Sequence, residues 1–154
     1  FRKDGEVYRT IIHFSDYDAI VISDYNKGFL SIEDIKKISN VHSLTFLDTK
    51  KPLGDWSENI TFIKINNNEL NKAEKITDKI RKKLIVTLGI DGASYNGKIY
   101  PVEITEVKDL SGAGDTFLAA LCTHYCKSKD VIASIKFANE CATKVVQKRG
   151  VSTT

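Results

Sequence analysis

Four short apolar runs, each rich in β-branched residues and separated by helical patterns, constrain this chain more than any other feature. They are Ala19-Ile20-Val21-Ile22, Leu44-Thr45-Phe46-Leu47, Thr61 to Ile65, and Leu84-Ile85-Val86-Thr87-Leu88. Runs of this kind read as buried strands, and strands alternating with helices read as a parallel sheet wrapped by helices. Ser31 caps the first helix, which carries Ile32, Ile35 and Ile38 on one face, and Asp34 completes a capping box. The third run leads through Asn66-Asn67-Asn68-Glu69 into a charged stretch that the pattern predicts as helix as far as Lys83.

After the fourth run the pattern changes. Gly89 and Gly92 punctuate a turn, and Asn96-Gly97 between short alternating runs is a strong hairpin signal. It predicts an antiparallel ribbon of Ala93 to Tyr95 with Lys98 to Tyr100. Beyond Val102-Glu103-Ile104, Ser111-Gly112-Ala113-Gly114-Asp115 opens the first of two apolar helices, which reaches about Lys127. The second is capped by Asp130, reaches about Arg149 and ends at Gly150, the residue type that commonly closes a helix.

A chain of 154 residues, 42% hydrophobic, can bury one ordinary core, so one domain is expected. No apolar run approaches the roughly 18 to 20 residues that span a bilayer, and no signal pattern opens the chain, so a cytoplasmic protein without a membrane partner is expected. The 23 Lys and Arg against 20 Asp and Glu are spread along the sequence rather than gathered in a stripe, which argues against nucleic acid. Cys122, Cys126 and Cys141 lack metal-ligand spacing and read as reduced core thiols. In Cys122-Thr123-His124-Tyr125-Cys126 the helix repeat turns His124 away from the two cysteines, which undermines a metal reading there. The chain opens at Phe1 on a polar stretch, Arg2 to Glu6, and contains no Met, which reads as a piece of a longer protein.

In open α/β sheets ligands bind beyond the carboxyl ends of the strands, and three loops there carry chemistry. Gly112-Ala113-Gly114-Asp115 stands at a helix mouth, where glycines let backbone amides crowd into an anion site, although capping the helix is the commoner role for an Asp at the position of Asp115. Thr87-Leu88-Gly89 to Gly92 adds a hydroxyl and two glycines able to hold phosphate oxygens. Asn66 and Glu69 could orient metal-bound water around phosphates, although the spacing is also that of a helix cap.

Together these loops resemble the ribokinase, or PfkB, family of small-molecule kinases. Asp109 to Ala120 is similar to that family's signature D-T-x-G-A-G-D-x-x-x-A-G, with Leu110 as a departure where Thr or Pro is usual. Thr87 to Ala93 resembles its phosphate loop, Asn66-x-x-Glu69 its N-x-x-E motif, and Phe137 to Gly150 its last helix beside the adenine pocket. Ser23-Asp24-Tyr25-Asn26-Lys27-Gly28 and Asp48-Thr49-Lys50 are most similar to the heptose 7-phosphate kinases, including the kinase halves of bifunctional kinase–adenylyltransferases.

The resemblance implies a ribokinase-like three-layer α/β/α fold, with a mainly parallel sheet and a small antiparallel ribbon. Residues 1–154 would then be the C-terminal portion of one kinase domain, its N-terminal half absent. The implied reaction is ATP-dependent phosphorylation of a sugar or sugar phosphate, heptose 7-phosphate at the anomeric position in lipopolysaccharide-precursor synthesis. Asp115 would be the base, with Gly112, Ala113 and Gly114 forming the anion hole. Asn66, Asn67, Asn68, Glu69, Thr87, Gly89, Gly92 and Asn139 would bind ATP, with Mg2+ held by Glu69 through water. Asp24, Lys27 and Lys50 would contact the acceptor, Lys27 being equally readable as a solvated loop lysine. Partners are expected to be ATP and the sugar phosphate, and a homodimer is left open. Alternatives are another acceptor of the family (ribose, fructose 6-phosphate, adenosine or a pyridoxal-type vitamin) or a nucleotide-binding module without catalysis. As a 154-residue piece, the chain is expected not to phosphorylate a sugar at a useful rate.

Overall fold

Successive residues of the central strands point to opposite faces, and here both directions lead into apolar layers. In the computed structural model, Phe46 and Phe62 face one layer with Phe117 and Leu121, while their neighbours Leu47 and Ile63 face the other with Ile35 and Ile80. This two-sided burial explains why the runs are apolar throughout and makes the sheet the middle layer of three. The structure describes residues 13–103 and 111–147, together with the backbone of two short paired strands, β1 (Arg2–Lys3) and β2 (Glu6–Val7). Ile104, Asp109, Leu110 and the expected closing glycine Gly150 lie outside the described residues.

The main sheet has the order β3-β4-β5-β6-β7-β8. Strands β3 (Ile20–Asp24), β4 (Thr45–Thr49), β5 (Phe62–Asn66) and β6 (Leu84–Thr87) are parallel. The Asn96-Gly97 turn then reverses the chain into antiparallel β7 (Ala93–Tyr95) and β8 (Lys98–Tyr100), as the dipeptide predicts. Both turn residues adopt positive φ, 49° and 74°, the geometry for which Asn-Gly is favoured. Strands β3 and β4 run further than their apolar stretches suggest, because Ser23, Asp24, Asp48 and Thr49 continue the pairing into the rim.

Helix α1 (Ile32–Val41) begins with the expected capping box of Ser31 and Asp34. The charged helix expected to reach Lys83 is corrected: the segment forms two short helices, α2 (Asn67–Leu70) and α3 (Asp78–Arg81). The amides of Glu74 and Lys75 both donate to Leu53 O, at 3.0 and 3.2 Å, drawing the chain off the helical path. Thr77 then caps α3 by accepting from Ile80 N. On the other face lie α4 (Ala113–Ser128) and α5 (Val131–Val146), the latter capped by Asp130 as expected. Phe46 and Phe62 stack at 5.4 Å between centroids, with Tyr125 of α4 edge-on to both. Large buried side chains of this kind each contribute about 1.5–3 kcal/mol through burial, so the layer fixes the direction of α4.

Among the described residues no helix is long and apolar enough to cross a membrane. The three cysteines are free and half-buried, and burial together with its neighbour Cys126 pushes the Cys122 thiol up to about 12. His124 turns to Ser134 and Ser128, consistent with the helix geometry that set it apart from the cysteines.

Candidate active site

The carboxyl ends of β3 to β6 and the mouth of α4 enclose a cavity of about 370 Å³. Asn66, Thr87 and Asp115 all line it, although they come from three separate loops. Asn66 and Thr87 are register partners on β5 and β6, so the parallel pairing itself places them side by side.

Gly112 stands at the N-terminus of α4 with φ 77°, a left-handed conformation that disfavours any side chain. As N-cap, Gly112 has no side chain to offer the helix, and among the described residues Asp115 makes no capping hydrogen bond. Instead its carboxylate accepts from the Tyr25 hydroxyl, at 3.0 Å to Oδ1 and 2.9 Å to Oδ2. Acceptance by Asp115, then partial burial, then the charges of Asp115 and Asp48 raise the Tyr25 phenol above its ordinary value, against a smaller opposing effect from Lys50.

Beneath the glycine loop lies a buried lysine. Lys64, on β5, donates to Asp48 Oδ2 at 2.6 Å, and a Cβ added to Gly114 would sit 3.0 Å from its Nζ. The glycine therefore permits close approach of a cation to the helix mouth. Asp48 Oδ1 is buried and has no hydrogen-bond partner among the described residues. Burial pushes the Asp48 carboxyl above its ordinary value despite the Lys64 ammonium. A lysine inside an apolar central strand is the signal that could have singled out Lys64, since lysines are rarely fully buried without a specific partner.

The N-x-x-E pair forms a complete capping box: Asn66 Oδ1 accepts from Glu69 N and Glu69 Oε2 accepts from Asn66 N. Glu69 Oε1 accepts from Asn66 Nδ2 and from Lys50, whose ammonium lines the cavity. Burial works to lower the Lys50 ammonium, but Glu69 and Asp48 outweigh it and raise it. Asn67 and Asn68 are exposed and do not line the cavity. Gly89 and Gly92 line it, and Gly92 is also required sterically, since a Cβ there would lie 2.2 Å from Tyr100 O.

Asp24 lines the cavity, but its carboxylate is fully engaged by Thr49 Oγ1, Lys51 Nζ and Asn26 N at 2.8, 2.8 and 3.1 Å. Burial opposes ionisation of Asp24, yet these donors outweigh it and hold the carboxyl below its ordinary value. Lys27 is exposed and apart from the cavity. Asn139 is buried on α5, donates to Tyr100 O at 2.8 Å, and lines two neighbouring hollows with Thr143 rather than the main one. Among the described residues no three His, Cys, Asp or Glu side chains gather as a metal cluster. The cavity lining offers the Asp48 and Asp115 carboxylates and the Asn66 amide as oxygen donors, the type that Mg2+ takes directly or through water.

A three-layer sheet whose carboxyl rim meets a glycine-opened helix is the architecture of the ribokinase-like kinases. The Burkholderia thailandensis nucleoside kinase in complex with ADP-inosine superposes with a TM-score of 0.70 at 18% identity, covering 90% of this chain and 49% of that one. Arabidopsis thaliana ribokinase complexed with ribose and ATP gives 0.65 at 19%, covering 87% and 51%. The chain belongs to the pfkB family of carbohydrate kinases, which it matches over residues 30–154. Among curated relatives it is 34% identical over 158 residues to the bifunctional protein HldE of Nitratiruptor sp., covering 90% of this chain and 34% of the relative. It is 31% identical over 172 residues to that of Campylobacter curvus, covering 96% and 36%. The chain thus spans about a third of the length of these relatives.

Proposed function

We propose that residues 1–154 are the C-terminal portion of one PfkB-type kinase domain that transfers the γ-phosphoryl group of ATP to a hydroxyl of heptose 7-phosphate. The kinase reading is carried by the Asp115 carboxylate at a helix mouth opened by left-handed Gly112, above the buried Lys64 ammonium. The acceptor is inferred from the HldE likeness and from the Asp24-to-Gly28 stretch.

In this mechanism Asp115 takes the proton of the acceptor hydroxyl as that oxygen forms its bond to the γ-phosphorus, and the bond to the β-γ bridging oxygen breaks to release ADP. Phosphoryl transfer asks chiefly for positioning and charge stabilisation. The amides at the Gly112–Gly114 turn and Lys64 supply positive charge where the transferring group accumulates negative charge. Thr87, Gly89 and Gly92 flank the phosphates, with Asn139 toward the adenine side. Asn66 and Glu69 would hold Mg2+ through water, and the cation when bound neutralises the phosphate oxygens. Asp24 and Lys51 would support the acceptor side, and Lys50, which pairs with Glu69, would contact the acceptor's phosphate. A cytoplasmic location accords with these soluble substrates.

ADP release from Mg-ATP with a panel of sugars and sugar phosphates tests the reading in the intact kinase. Heptose 7-phosphate should be preferred, and Asp115→Asn should cut turnover about 10²- to 10⁴-fold with ATP affinity nearly unchanged. Near-normal turnover would remove Asp115 from the base role.

A further inference from the structure

We propose that Tyr25 is a positioning residue for the base, holding the Asp115 carboxylate in one orientation while leaving it able to receive the acceptor hydroxyl. This rests on the reading of Asp115 as base. The phenol stands nearly equidistant from both carboxylate oxygens, at 3.0 and 2.9 Å, so one hydrogen is shared between them. A carboxylate offers about four lone-pair sites, and a single shared donor leaves others open to a second hydroxyl.

The contact has a built support. Tyr25 follows Asp24, whose buried carboxylate accepts from Thr49, Lys51 and the Asn26 amide, and Lys51 also donates to Asn26 Oδ1 at 3.1 Å. That clamp ties the loop to the neighbouring strand and sets the backbone from which the ring reaches Asp115. The fold does not need the contact, because α4 is held by Phe117, Leu118 and Leu121 in the core and Tyr25 is 53% exposed. A hydrogen bond at so open a position adds little stability, whereas orienting a reacting carboxylate bears directly on the geometry of proton transfer.

Two measurements on the intact kinase test this. Tyr25→Phe should lower kcat about tenfold to a hundredfold, the size of a hydrogen bond to a charged group, with KM for ATP unchanged. In an Asp115→Asn background the same change should have no further effect, because the two residues act as one unit. Equal losses in both backgrounds, or no loss on Tyr25→Phe, overturns the proposal while leaving the base reading intact. Near-normal turnover of Asp115→Asn alone overturns the base reading and this inference with it.

The second measurement is independent of activity: NMR titration of ring-labelled tyrosine. The charged groups acting on the phenol are Asp115, Asp48 and Lys50. Asp115→Asn should move the Tyr25 titration to lower pH, since the carboxylate that holds the proton on the phenol is gone. An unmoved titration shows that the contact does not form and overturns the proposal.

Discussion

Two buried aspartates stand near the rim on neighbouring strands and are treated oppositely. Asp24, on β3, receives three donors from Thr49, Lys51 and Asn26, and its carboxyl is held below the ordinary range. Asp48, on β4, has one donor, Lys64, leaves one oxygen without a partner among the described residues, and is pushed above that range by burial. A satisfied buried carboxylate anchors structure. A half-satisfied one costs folding free energy, and on the proposed kinase reading a pair of this kind beneath a glycine loop keeps the Lys64 cation where phosphate would bind. On that reading, the comparison separates a clamp on the acceptor side from a charge held at the chemical centre.

The sharpest way to break this comparison is Lys64→Met. It leaves Asp48 buried without a cation and should cost about 3–5 kcal/mol in urea unfolding, and Asp48→Asn in the same chain should recover part of the loss. Lys51→Met should cost about 1–2 kcal/mol, since Asp24 keeps Thr49 and Asn26. Equal losses would erase the distinction between the sites.

Gly114→Val comes next. Its Cβ would press on the Lys64 ammonium, at an overpacking cost of about 1–3 kcal/mol, and Mg-ATP binding measured by calorimetry should weaken sharply. An unchanged affinity would detach the Lys64 region from nucleotide.

The smallest effect is a difference in pH slope. Between its two pKa values Asp24 binds fewer protons folded than unfolded, so its contribution is fully present above the unfolded value and is lost as pH falls through the folded one. For Asp48 the signs reverse, and stability declines as pH rises from the unfolded value through the raised folded one. Asp24→Asn should therefore flatten the acid loss of stability, and Asp48→Asn should flatten the decline above it. Unfolding series across this range read both slopes, and slopes of the same sign would contradict the assignment.

Features settled by neighbours within a few residues were legible in the sequence. The Ser31–Asp34 capping box, the Asn96-Gly97 hairpin, the Asp130 cap and the glycine-opened mouth of α4 each depend on local backbone chemistry. The apolar runs also determined a parallel sheet, because strands covered on both faces must be apolar on both. Tertiary structure alone decided the rest. The stretch from Asn66 to Lys83 breaks into two helices because Leu53 O, from a different loop, captures two of its amides. Lys64 becomes a buried cation of the cavity because the β4–β5 register sets it beside Asp48. Tyr25 meets Asp115 across 90 residues because β3 ends and α4 begins at the same rim. Contacts of this length depend on strand order and register, which no local pattern of residues carries.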